Sequence, residues 1–149
     1  MENEAIVRRL YEEVWNKHKV ELVDELMSPS YAIHNIYVPG PRVGPEAYKR
    51  QLTRFITAFP DMTFTIADMI AGKDRVVVSW ILSGTHKGTF RGLPPTDRKV
   101  SMDGITITHI ANGKITDSHV TYDMLVRLRD KSRLSQSADD FRAIQISQR

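Results

Sequence analysis

The sequence predicts a single α+β domain, a helix-lined cone closed by a strongly bent antiparallel sheet. Three observations predict it. Apolar residues recur at three-and-four spacing through the first third of the chain, the period changes to two from Met62 onward, and Asn112-Gly113 carries the strongest short hairpin signal. Helices first and a meander of strands afterwards argue for α+β rather than for alternating βαβ units.

Ile6, Val7, Leu10, Tyr11, Val14 and Trp15 form one apolar stripe with Arg8, Arg9, Glu12 and Glu13 opposite it, an amphipathic first helix. Asn16 to His18 interrupt it. Val20, Leu22, Val23, Leu26 and Met27 resume the pattern as a short second helix, stopped by Ser28-Pro29. Tyr31 to Val38, rich in β-branched and aromatic residues, is predicted as a strand. Pro39-Gly40-Pro41 and Gly44-Pro45 mark a loop, and Pro45 suits the first position of a third helix. That helix carries Tyr48, Leu52, Phe55, Ile56 and Phe59 and ends at Pro60-Asp61.

Met62, Phe64 and Ile66 then alternate with Thr63 and Thr65 up to a turn at Gly72-Lys73-Asp74. Val76, Val78, Trp80 and Leu82 alternate with Val77, Ser79, Ile81 and Ser83. A Gly/Pro-rich loop, Gly88 to Thr96, leads to a strand around Val100 to Ile110, and the return strand runs from Lys114 to Tyr122. Residues 1–130 are read as the domain and 131–149 as a polar C-terminal tail. Both faces of the sheet carry apolar side chains, Ile105 and Ile107 on one and Val100 and Met102 on the other. One face lines the cone. The other needs a cover, and a second copy of the chain is the simplest, so a homodimer through the outer sheet face is predicted.

Composition narrows the function classes. The 149 residues carry a formal net charge of +3 with no run of like charges, which argues against a nucleic-acid partner. There is no cysteine, which excludes disulfides, thiol nucleophiles and Cys-ligated metals. The acidic opening Met1-Glu2-Asn3-Glu4 predicts no signal peptide, and no stretch approaches the roughly 18 apolar residues of a membrane span. The expectation is a soluble, cytoplasmic protein with no membrane partner.

Residues Gly84-Thr85-His86-Lys87-Gly88-Thr89-Phe90-Arg91-Gly92-Leu93-Pro94-Pro95-Thr96-Asp97-Arg98-Lys99-Val100 fit a G-T-H-x-G-x-F-x-G-x-P-P-T-x-R-x-V pattern. Phe59-Pro60-Asp61, Asp74-Arg75-Val76-Val77-Val78 and Asn112-Gly113-Lys114-Ile115 accompany it in order and spacing. In these features the chain, from Ile6 to Leu128, resembles the SnoaL-like polyketide cyclases of the NTF2-like superfamily. The resemblance implies an NTF2-like cone with an apolar pocket, a dimer through the outer sheet face, and no metal or organic cofactor. It also implies a departure. The last-strand Asp that serves as acid/base in the aldol cyclases falls at Val120, and a His of the preceding strand falls at Thr106. A buried valine cannot exchange protons.

Candidate site residues follow from strand parity and side-chain chemistry. Histidine titrates near neutral pH, so His34 in the first strand and His86 at the end of the Val78, Trp80, Leu82, Gly84 series are expected to line the cone as proton-transfer groups. A hydrogen-bonded strand position for His34, or a loop-anchoring role for His86, explains each equally simply. Asp123 ends the last strand as a helix N-cap or as a third acid/base group. His119 is expected on the outer face at the dimer interface, and Asp68 at a solvent-exposed strand end. Thr106, Thr108, Ser118 and Tyr122 share the inner face of the final hairpin, with Val120. Among the aromatics, Trp15, Tyr37, Phe55, Phe59 and Trp80 are expected in the pocket wall, while Tyr11, Tyr48 and Phe64 lie on apolar faces. No His/Asp/Glu set has helical or hairpin spacing suited to a metal. The expected function is a cofactor-independent enzyme of cyclase, isomerase or epoxide-opening type, acting on a hydrophobic, polyketide- or terpenoid-like substrate. The alternative is a non-catalytic protein that binds a hydrophobic ligand in the same pocket.

Overall fold

The first apolar stripe winds into a helix whose pitch changes midway. In the computed structural model, which describes residues 2–35 and 42–122, α1 (Asn3–Arg9) runs on as a π-helical segment, Leu10–Trp15. The Asn16 N–H closes that segment by donating to the Tyr11 carbonyl, five residues back, at 3.1 Å. All six apolar residues of the stripe are buried. Helix α2 (Leu22–Leu26) ends one residue earlier than the apolar pattern, because Met27 already belongs to β1 (Met27–Asn35). Val38, the expected end of that strand, lies outside the described residues. Pro29 has no N–H to give, and the pairing of β1 shifts register between Met27 and Ala32, where the proline falls.

A short strand β2 (Arg42–Val43) precedes α3 (Pro45–Ala58), which Pro45 opens as its composition predicts. The strands β3 (Thr63–Ala71), β4 (Arg75–Thr85), β5 (Lys99–Ala111) and β6 (Lys114–Tyr122) form the meander. Asn112 and Gly113 both adopt positive φ, 53° and 74°, the geometry that makes a two-residue turn match the twist of its strands. Among the described residues the sheet has six strands, in the order β2-β1-β6-β5-β4-β3. It is mixed rather than wholly antiparallel: β1 runs parallel to β6, while every other neighbouring pair is antiparallel.

Parity is kept along β4 and β5. Val76, Val78, Trp80 and Leu82, and Val100, Met102, Thr106, Thr108 and Ile110, are buried against the helices. Ile81, Ile105 and Ile107 face outward and are exposed. Two irregularities reset the alternation. A register shift between Ile66 and Asp68 leaves Asp68 exposed, and another between His109 and Ile110 turns Ile115 into the core. The Asn16 side chain spans from the helical half to β3: its Nδ2 donates to the Phe64 carbonyl at 2.9 Å, and the Phe64 N–H donates to its Oδ1 at 2.7 Å. Among the described residues, no helix is long and apolar enough to cross a membrane.

Candidate functional site

Between the helices and the inner sheet face lies a cavity of about 50 Å³. Leu10, Tyr11 and Trp15 come from the first helix, Tyr31 and Ile33 from β1, and Tyr48, Gln51 and Phe55 from α3. The sheet contributes Phe64, Trp80, Leu82, Thr106, Ser118, Val120 and Tyr122. The rings meet edge to face, Trp15 on Phe64 at 4.8 Å and Phe64 on Trp80 at 5.0 Å, which fixes the wall in one arrangement.

Each indole N–H has a partner. Trp15 Nε1 donates to the Tyr48 hydroxyl at 2.6 Å and Trp80 Nε1 donates to Thr106 Oγ1 at 2.9 Å. Leaving either buried donor unpaired would cost about 1–3 kcal/mol, so these bonds hold the indoles in place. The Tyr31 hydroxyl and Gln51 Oε1 are buried without a hydrogen-bond partner among the described residues. Burial pushes the phenols up, Tyr11 to about 12 with the Thr106 hydroxyl opposing, and Tyr31 and Tyr48 well above the ordinary tyrosine value with Ser118 and Trp15 opposing. All three stay protonated at neutral pH and can donate a hydrogen bond.

Outside the cavity, Ala47, Arg54, Thr57, Thr89, Phe90 and Arg91 surround a groove of about 380 Å³ that shares Gln51 and Phe55 with it. Phe55 and Phe90 stand ring to ring at 5.1 Å between the two spaces. Phe90 is placed by a tight turn closed by reciprocal N–H to carbonyl bonds with Leu93, at 3.0 and 2.9 Å, with Arg91 and Gly92 at positive φ. The Arg91 guanidinium reaches inward to donate to the Tyr122 hydroxyl at 3.0 Å, tying the loop to the cavity wall.

Of the residues expected in the site, Trp15, Phe55, Trp80, Thr106, Ser118, Val120 and Tyr122 line the cavity. Phe59 does not: it is buried behind the wall, 5.5 Å from the rings of both His86 and Phe90. Tyr37 and Asp123 lie outside the described residues. His86 is buried but serves the loop. Its Nδ1 lies 3.0 Å from Thr96 Oγ1 and accepts the Thr96 N–H at 3.2 Å, while its backbone pairs with Asp97 and Arg98. Burial holds its imidazole below the usual value. His34 is on the opposite face of the sheet from the cavity, because Tyr31 and Ile33 take the inward positions of β1. Its ring stacks on that of His119 at 4.5 Å. Asp117 lies beside them, so that ligating atoms of His34, Asp117 and His119 fall within 4.8 Å of one another. Spacing along the chain concealed this set, since the parallel pairing of β1 with β6 assembles it. Sequence reasoning also missed Tyr31 and Gln51, although Tyr31 alternates with Ile33 and so signals its own direction.

The sequence profile of the SnoaL-like polyketide cyclases matches residues 5–130. Nogalonic acid methyl ester cyclase of Streptomyces nogalater is 28% identical over 104 residues, which span 69% of this chain and 78% of that protein. A protein of Jannaschia sp. CCS1 described as a candidate SnoaL-like polyketide cyclase superposes with a TM-score of 0.78, covering 85% of this chain and 88% of the other. At 23% identity that likeness is one of fold. A candidate polyketide cyclase of Acidithiobacillus ferrooxidans is 29% identical with a TM-score of 0.73, covering 82% and 88%. Over nearly the whole of its described length, the chain belongs to the SnoaL-like polyketide cyclase family.

Proposed function

We propose that the protein is a cytoplasmic, cofactor-independent enzyme of cyclase, isomerase or epoxide-opening type, acting on a hydrophobic, polyketide- or terpenoid-like substrate. The observation that carries the proposal is the Tyr31 hydroxyl, a protonated donor buried in an aromatic cavity with the Ser118 side chain as polar neighbour and no partner at bonding geometry among the described residues. In ring closure, isomerisation and epoxide opening alike, negative charge develops on a substrate oxygen. A fixed phenol in a low-dielectric site stabilises that charge without reorganising. The aromatic wall desolvates the substrate and restricts it to a reactive conformer. Substrate occupies the outer groove, whose volume suits a small molecule, and directs its reacting end toward the cavity at Phe55 and Gln51, which border both spaces. Asp123, which follows the cavity-lining Tyr122 in the chain, is the proton acceptor of this reading. The relative's name, a methyl ester cyclase, supports the substrate class.

A second reading rests on the described wall, which holds no Asp, Glu or His. On that ground the protein would carry a hydrophobic ligand without converting it. Turnover assays with a panel of linear polyketide methyl esters and epoxides separate the two. Product formation that falls on Tyr31→Phe and Asp123→Asn supports the enzyme, and saturable binding without product establishes the carrier. The exposed Ile105 and Ile107 on the outer face are the surface through which we expect two chains to pair.

A further inference from the structure

We propose that His34, Asp117 and His119 bind one divalent transition-metal ion of the zinc class on the outer face of the sheet, away from the cavity. The topology makes the set. His34 and His119 are register partners across the parallel β1–β6 pairing, and Asp117 precedes His119 by two residues, so all three project from one face. Their ligating atoms lie within 4.8 Å of one another. A tetrahedral ion with bonds of about 2.0–2.1 Å spaces its ligands roughly 3.4 Å apart, so side-chain rotation closes the set. The two imidazoles are already stacked, 13° from parallel, and neither makes a hydrogen bond to any described residue.

A neighbouring residue completes the arrangement. His109 Nδ1 lies 2.6 Å from Asp117 Oδ1, which orients the carboxylate and leaves Oδ2 for the ion. Such outer partners are the usual companions of metal ligands. Two imidazole nitrogens and one carboxylate oxygen select zinc and its neighbours, whereas calcium and magnesium require oxygen ligands throughout. Three protein ligands leave the fourth position to water. In the single chain the half-buried His34 and Asp117 and the exposed His119 leave that position open, at the edge of the face where Ile107, the register partner of His119, is expected to meet a second copy. Bound there, the ion would join β1 to β6 from outside, where Ile33 and Ser118 of the same strands form the cavity wall.

The test uses tag-free full-length protein stripped with a chelator. Calorimetric titration with zinc chloride is expected to give one ion per chain, and cobalt(II) to give visible bands of a site with nitrogen ligands. The thermal midpoint should rise with zinc. His34→Ala, His119→Ala and Asp117→Asn should each weaken zinc at least tenfold, and His109→Ala by about 10–100-fold. His18→Ala, at an exposed turn remote in sequence from the cluster, should leave the affinity unchanged. Circular dichroism matching the parent ensures that each variant is folded. Absence of saturable binding, or the same affinity in the three ligand variants, overturns the proposal. Half an ion per chain also overturns it, by assigning the ligands to two chains.

Discussion

Gly104 lies directly opposite Trp80 across the β4–β5 ladder, and the space where its side chain would stand is filled by the indole ring. A Cβ there would meet two ring carbons and come within 2.7 Å of the Thr121 carbonyl. Gly104→Ala must therefore push Trp80 inward or spread the strands. Overpacking of this kind costs about 1–3 kcal/mol. Because the cavity behind the ring is small, we expect ligand affinity to fall at least tenfold. Urea denaturation and tryptophan fluorescence on the same variant read both effects, and an unchanged affinity would show that the indole does not bound the ligand space.

Tyr31→Phe separates function from stability more cleanly. Removing a buried hydroxyl that has no partner at bonding geometry among the described residues, only the nearby Ser118 side chain, is expected to leave stability within about 0.5 kcal/mol of the parent, or to raise it. If the hydroxyl stabilises developing charge, the same change lowers turnover by roughly 10²–10³, the usual loss for one such donor. A drop in stability without loss of rate would assign the hydroxyl a packing role instead.

His86 should make stability depend on pH in one direction. Burial depresses its folded pKa below the unfolded value of about 6.5. As pH falls from 7.5 the unfolded chain takes up the proton first, so stability is full above the unfolded value and declines through it. The decline levels off once pH passes below the folded value. His86→Ala should remove this slope and cost about 1–3 kcal/mol through the lost Thr96 bonds. Turnover per folded molecule should not change. Chemical denaturation at pH 5.0, 6.0 and 7.5 supplies the comparison.

Charge on the outer face tests assembly. Ile107→Glu places a carboxylate where a paired chain would need apolar contact, and light scattering at micromolar concentration should then report a monomer where the parent reports a dimer. A monomeric parent would end the dimer reading.

Periodicity was enough to locate the helices and the meander, because amphipathic spacing and a positive-φ turn are local signals. It was also enough to set Thr106, Ser118, Val120 and Tyr122 on the inner face. Val120 does stand across from Thr106, both on the cavity. What the sequence concealed are the non-local pairings. The parallel contact of β1 with β6 leaves no trace in either strand, so nothing in the chain order announces that His34 meets His119. The parity of β1 was legible, since Tyr31 and Ile33 alternate inward and place His34 on the outer face. His86 is buried as parity with β4 predicts, but it lies past the end of that strand, where it packs on Phe59 and bonds Thr96 rather than lining the cavity.

The Asn16 amide has a consequence for solubility. Strand β3 ends the sheet, and a terminal strand offers its spare N–H and carbonyl groups to any passing chain. At Phe64 both groups are already taken by one side chain, which imitates a single residue of a neighbouring strand. A foreign segment cannot zip along β3 without first displacing it. Runaway fibre-like association is thereby obstructed at the sheet's rim, whereas the broad face that carries Ile105 and Ile107 has no such guard among the described residues.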